Sequence, residues 1–334
     1  MRKIDYTYLI FIIAAIFSHN LYGQDRFIHN LSNLPQFVNP SYFSFKDQSR
    51  IGIASEFSSN KGGDNSQHQY AFATNFFEEN DFQLGVEIMT SKLDNSGLNY
   101  STAKFSYIYK LQLKEDWYFY PGLSLGYSRY NFDYGNLIFS DQINILTGQV
   151  SNQTIDPIIA TTNIGYIDIG ASFMAHNNYN LSFGASVHHL NQPKISSELS
   201  ENGINLSALF SAQLGYEINL NRYQQGSLPN YSYLYLFQNF VKQGPVVRAS
   251  FFQEITLANL MLGLNEHVSS IESINFLQVG VLVGVKLEAF DIGFNYNLPM
   301  GNSSFVVPNA LELFINFDIS PNRLRNRKDF SRFY

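Results

Sequence analysis

The chain of 334 residues contains no cysteine. Disulfides, thiolate metal sites and a cysteine nucleophile are excluded together. Tryptophan occurs once, against 22 tyrosines and 30 phenylalanines. Charge is sparse: Asp, Glu, Lys and Arg make up 14% of the residues, where a soluble domain carries about 25%. The formal net charge of −6 leaves no basic surface suited to nucleic acid. No phosphate-cradling glycine loop is present. Long apolar runs are missing too, outside the first two dozen residues. What the chain has instead is uncharged polarity from Asn, Ser, Gln and Gly, with abundant Tyr and Phe. That composition suits a membrane β-barrel better than a cytosolic enzyme.

Residues 1–23 form a class of their own. Arg2 and Lys3 make a positive start, Tyr8 to Phe17 is an apolar core, and Leu21-Tyr22-Gly23 ends in a small residue. The pattern predicts a secretory signal peptide cleaved after Gly23. Its apolar run is too short for a spanning helix, which needs about 20 residues. Removing Arg2, Lys3 and Asp5 with it takes the net charge from −6 to −7.

Beyond that point period two dominates. Phe82, Leu84, Val86 and Ile88 alternate with Gln83, Gly85 and Glu87; Leu277, Val279, Val281, Val283 and Val285 alternate with Gln278, Gly280, Gly284 and Lys286. Similar runs end at Leu220, Leu298 and Ile319. One apolar and one polar face per strand fits a soluble sandwich or a membrane barrel. The strands approach the ~9–11 residues that cross a bilayer at a tilt, and aromatic residues gather near their ends. The expected fold is all-β: a transmembrane antiparallel β-barrel of about 14 strands with both termini periplasmic.

The expected outer links are 59–66, 93–97, 131–162, 190–204, 243–245, 266–273 and 299–309. The inner ones are 78–81, 112–117, 176–178, 221–231, 255–257 and 287–289. The expected domains are a signal peptide (1–23), a periplasmic lead-in (24–48), the outer-membrane barrel (49–320) and a basic periplasmic tail (321–334).

Four stretches carry a resemblance. They are Asn39-Pro40-Ser41-Tyr42, Ile169-Gly170-Ala171-Ser172-Phe173 followed by the run from Asn180 to Pro193 that contains His188-His189, Gly226-Ser227-Leu228-Pro229, and Ala310-Leu311-Glu312-Leu313. In that order and spacing the chain resembles the PorP/SprF family, outer-membrane proteins of the Bacteroidetes type IX secretion system. The resemblance implies a non-enzymatic component that supports secretion or surface attachment of a partner protein, such as an adhesin of gliding motility. It also implies contact with periplasmic ring components (PorK-, PorN- or PorE-like). The chain departs from the family pattern at Ser41 and Phe43-Ser44, at Asn230 after Leu-Pro, and at Leu311.

The candidate residues follow from this placement. Asn39, Pro40, Tyr42 and Phe45 in the lead-in, Pro229 in an inner link, and Arg323, Arg325 and Arg327 in the tail are candidate partner contacts. Glu87, Lys104, Asp168, Glu217, Lys286, Asp291 and Glu312 lie on polar faces and are expected to line the lumen. Their mixed sign suits either a selective porin, the alternative function, or an internal network that closes the lumen. Asn39-Pro40 is expected to be extended chain with a break, since proline pushes its predecessor out of the helical region. Adjacent strand residues face opposite sides, so His188 is expected inside and His189 outside. Ser186 and His188 share a face, yet lie ~6.6–7 Å apart along a strand, too far for a nucleophile and its base. No catalytic, cofactor or metal site is expected. Outer-membrane lipid is the expected surroundings, reached by export.

Overall fold

The computed structural model describes residues 28–319, apart from 60–64, 95–96, 115, 133–137, 139, 145–146, 152–162, 196–203, 223–226, 271–273, 288 and 301–306. The proposed signal peptide and basic tail lie outside the described residues.

The strands in chain order are β1 (Arg50–Ser59), β2 (Asn65–Phe77), β3 (Phe82–Leu93), β4 (Leu98–Tyr109), β5 (Leu111–Lys114), β6 (Trp117–Phe132), β7 (Asn163–Asn177) and β8 (Leu181–His188). Then come β9 (Lys194–Ile195), β10 (Ile204–Asn205), β11 (Leu209–Asn219), β12 (Ser232–Gln243), β13 (Val246–Leu257) and β14 (Leu260–Ser270). The last three are β15 (Ile274–Lys286), β16 (Phe290–Pro299) and β17 (Asn309–Asp318). Strands β9 and β10 pair only with each other, and β5 continues β4 along the edge of β6. The other fourteen form one antiparallel sheet. It closes on itself: consecutive wall strands pair with one another, β4 with β6 among them, and the first strand β1 pairs with the last, β17. The result is a closed fourteen-stranded barrel, as the alternation predicts.

The wall follows from the period of two. In β1, Ile51, Ile53 and Phe57 are exposed while Gly52, Ala54, Glu56 and Ser58 are buried. In β16, Ile292, Phe294, Tyr296 and Leu298 face out, and Gly293, Asn295 and Asn297 face in. An apolar exterior and a polar interior invert the usual soluble arrangement and match a lipid-facing barrel. Aromatic rings meet across strands at the end where the first strand begins: Phe77 stacks on Phe82 (4.6 Å between centroids), Phe82 stacks on Tyr107 (5.4 Å), and Phe290 packs tilted against Phe317 (4.6 Å). At that end the links are short, apart from 220–231. Three turns fall a few residues from their expected positions, because alternation marks faces and says less about where pairing stops. The link expected at 255–257 is a two-residue turn at 258–259, the one at 176–178 lies at 178–180, and β14 runs to Ser270 through the start of the link expected at 266–273.

Residues 28–48 depart from expectation. They do not form a lead-in beneath the barrel; they lie within it. Ile28, Leu31, Leu34, Val38, Tyr42 and Phe43 are buried against inward side chains of the wall, among them Phe72, Ile108, Met174, Phe237 and Phe314. The physical reason is lumen size. Eight strands can be filled by their own side chains, whereas sixteen or more leave an aqueous channel. Fourteen strands leave a space that a second layer of chain occupies here.

Candidate functional site

The interior segment is built from short turns. A 3-10 turn spans Pro35–Phe37, and a longer 3-10 stretch spans Pro40–Asp47, broken at Phe45 and Lys46. Asn39 is extended (φ −139°, ψ 97°), as the following proline requires. Pro40 then opens the 3-10 stretch, so the expected continuation as extended chain is corrected. Proline suits a first helical position because its missing N–H would have no partner there. Asn39 caps the turn, its side-chain oxygen accepting from the Ser41 N–H at 3.1 Å.

Polar contacts tie this segment to the wall on many sides. The Asn39 Nδ2 donates to the Phe173 carbonyl (3.0 Å) and to Gln213 Oε1 (2.8 Å). Ser41 and Ser172 share a hydroxyl hydrogen bond of 2.8 Å. The Val38 carbonyl accepts from Ser186 Oγ (2.5 Å), His188 Nε2 (2.9 Å) and Ser211 Oγ (3.3 Å). Ser186 and His188 therefore hold the segment and do not pair as nucleophile and base. Ser32 Oγ and Asn33 Nδ2 both donate to Glu254 Oε1, the second at 3.1 Å. At the lower end Lys110 Nζ lies 2.6 Å from Asp47 Oδ2, and Gln83 Nε2 donates to the Gln48 carbonyl at 2.9 Å.

Close packing completes the fit. Two wall glycines make room for it. A Cβ on Gly85 would stand 2.5 Å from the Phe43 ring, and one on Gly184 would stand 2.7 Å from Asn39 Nδ2. Full burial of side chains such as Leu34, Val38 and Phe43 stabilises the seated segment by roughly 1.5–3 kcal/mol each. Burial also raises the Tyr42 hydroxyl pKa above its ordinary value, so the group stays neutral.

The expected lumen charges all sit on the inward register. Glu87, Asp168, Glu217, Lys286 and Glu312 are buried; Lys104 and Asp291 are half-buried. Two compact networks emerge. Glu87 lies 3.4 Å from Lys104 and accepts from the Tyr70 hydroxyl at 2.9 Å. Asp168 accepts from the backbone N–H of His189 and lies 2.9 Å from its ring nitrogen. His189 is thus inside, against expectation. Strand β8 ends at His188, and His189 adopts a left-handed φ of 57°, which turns its ring inward.

A third cluster was not visible in the sequence. His29 Nδ1 lies 2.8 Å from Glu56 Oε2. The backbone N–H groups of His29 and Asn30 each donate to Glu312 Oε2 at 3.1 Å. Burial opposes charging of the imidazole, but the Glu56 and Glu312 carboxylates outweigh it and hold the His29 pKa above its ordinary value. The alternation puts Glu56 inside, yet its approach to residue 29 depends on a path through the lumen that no local pattern encodes.

Of the candidate partner contacts, Asn39, Pro40 and Tyr42 are buried inside the barrel and Phe45 is half-buried. Pro229 is exposed, in a link held by hydrogen bonds from Asn221 and Ser232 to its carbonyl. Arg323, Arg325 and Arg327 lie outside the described residues.

The family described as type IX secretion system membrane protein PorP/SprF matches residues 20–317. The chain belongs to the PorP/SprF family. No curated protein matches the chain. The chain is similar to several solved structures at low identity. A ΔS2S3 mutant of the TodX monoaromatic hydrocarbon channel is 11% identical, covering 86% of this chain and 94% of its own, with a TM-score of 0.49. The Acinetobacter baumannii outer membrane protein Omp33 is 10% identical, covering 81% and 98%, with a TM-score of 0.44. BamA from Haemophilus ducreyi lacking POTRA domains 1–3 is 10% identical, covering 81% and 70%, with a TM-score of 0.40. The PorP/SprF assignment is to an outer-membrane barrel of a secretion system, a family that is not known for catalysis.

Proposed function

We propose that this PorP/SprF protein is a plugged, non-conducting scaffold that supports secretion or surface attachment of one exported partner protein, such as an adhesin. The observation that carries the reading is the family match across the barrel, residues 20–317. The seated segment 28–48 supports it, because a diffusion porin needs an open lumen and this one is packed with buried side chains. In this reading both termini face the periplasm. The link carrying Pro229 and the basic residues Arg323, Arg325 and Arg327 meet periplasmic ring components. An acidic protein with a basic terminal run has a ready electrostatic handle for such contact. The outer links 131–162 and 190–204 meet the exported partner.

The test is deletion of the gene with the cell surface monitored. Loss of one exported protein from the surface, restored by the full chain, supports the proposal. An unchanged secretome and surface contradicts it.

A further inference from the structure

We propose that His29, Glu56 and Glu312 form a site for a first-row divalent cation, which fastens the interior segment to the seam between the first and last strands. Three observations converge on it. First, Glu56 and Glu312 face each other in register across β1 and β17, both pointing into the lumen and both almost fully buried (3% and 0% exposed). Two carboxylates directly opposite one another on neighbouring strands repel, and burial sharpens that repulsion. Among the described residues, the ion pair that either carboxylate makes is with His29. Two imidazoles approach the pair, His29 from the interior segment and His68 directly opposite Glu56 across β1 and β2; a single divalent cation would bridge both carboxylates at once.

Second, Glu312 Oε1 is a buried oxygen with no hydrogen-bond partner, although its sister Oε2 takes two backbone N–H groups. Whenever Glu312 is ionised, an oxygen left this way is costly unless something positive meets it. Third, one ligand atom from each of the three residues lies within 4.8 Å of the others. Bonds of about 2.1 Å to a tetrahedral or octahedral ion place ligand atoms roughly 3–3.4 Å apart. Rotation of the side chains closes the remaining gap.

The donor set selects the class of ion. An imidazole with two carboxylates suits zinc or manganese better than calcium, which favours oxygen alone. On binding, the ion takes the place of the proton between His29 Nδ1 and Glu56, and that proton is released to solvent. The adjacent His267 ring packs edge-on against His29 at 5.3 Å, but its nitrogens already engage Ser250 (2.9 Å) and Asn265 (3.0 Å), so it supports the site without joining it. The His29 side chain keeps 21% of its surface exposed, which gives the ion a way in.

The consequence is mechanical. His29 belongs to the interior segment, Glu56 to the first barrel strand and Glu312 to the last. One ion would tie together three parts of the chain up to 283 positions apart.

The test uses the detergent-purified full chain without an affinity tag, stripped with a chelator and then titrated with zinc. The wild type is expected to bind one zinc per chain, and zinc is expected to slow protease cleavage within the interior segment. His29→Ala, which leaves every strand residue in place, and the isosteric Glu312→Gln are each expected to weaken binding by at least about 100-fold. Heat-modifiable gel mobility confirms that each variant barrel has assembled. Absence of stoichiometric zinc in the wild type overturns the proposal. So does one zinc per chain retained at full affinity by assembled His29→Ala.

Discussion

Among the pairs of ionisable side chains that face each other across neighbouring strands of this lumen, two are built differently. Glu87 on β3 stands opposite Lys104 on β4, and the Tyr70 hydroxyl from β2 completes the group. Its ion pair and its hydroxyl hydrogen bond both come from the wall, while Phe37 of the interior segment packs on the Tyr70 ring. Glu56 on β1 stands opposite Glu312 on β17, a pair of like sign. Its hydrogen bonds come from His29 and Asn30 of the interior segment. The first pair has its counter-charge in the wall itself; the second takes its hydrogen bonds from the segment that fills the lumen. The interior segment is therefore part of the barrel's electrostatic construction, and the seam where the barrel closes depends on it most.

Substitutions should separate the two pairs. Lys104→Met removes the cation beside buried Glu87 and is expected to cost about 3–5 kcal/mol, measured by urea unfolding in lipid vesicles. The cost should be the same in a chain lacking residues 28–48. Glu56→Gln with Glu312→Gln should behave otherwise. In the full chain it weakens charge-assisted hydrogen bonds to His29 and Asn30 and is expected to cost roughly 1–3 kcal/mol. In the chain lacking 28–48 the same change removes a repulsion, so the sign reverses and the barrel gains stability. A cost of the same sign in both backgrounds would break the comparison.

Gly85→Val tests the packing that seats the segment. A Cβ there would meet the Phe43 ring at 2.5 Å, and overpacking of this kind costs typically about 1–3 kcal/mol. Faster hydrogen exchange of residues 34–48, with the β3 strand unchanged, is the expected readout. Pro229→Ala lies at the small end. Its position is exposed, so stability should move by less than about 0.5 kcal/mol, while capture of periplasmic components from detergent extracts should fall.

The same contrast explains what the sequence discloses. The wall is legible because each strand repeats a two-residue period over eight to sixteen residues, and lipid outside with polar groups inside enforces that period. Gly280, Asn295 and Glu312 could all be assigned to the inner face on that basis. The interior segment has no such period. Its short 3-10 turns are stabilised by contacts with strands far away in sequence, such as Asn39 with Gln213, and nothing in the Leu34–Phe45 stretch names those partners. The proline break was visible, and so was the likeness to a family; the location inside the lumen was not. Glu312 was marked as a lumen charge, but its partner Glu56 is set by closure of β1 on β17, and His29 by the path of the segment. His189 shows the same limit at smaller scale, since one left-handed residue at a strand end reverses the face that alternation assigns.

The central claim is that residues 28–48 close an otherwise wide barrel. Single-channel recording in planar lipid bilayers tests it most directly. The full chain is expected to insert without steady conductance, and a chain lacking residues 28–48 is expected to open stable channels. Large steady conductance from the full chain, equal to that of the deletion, would contradict the account.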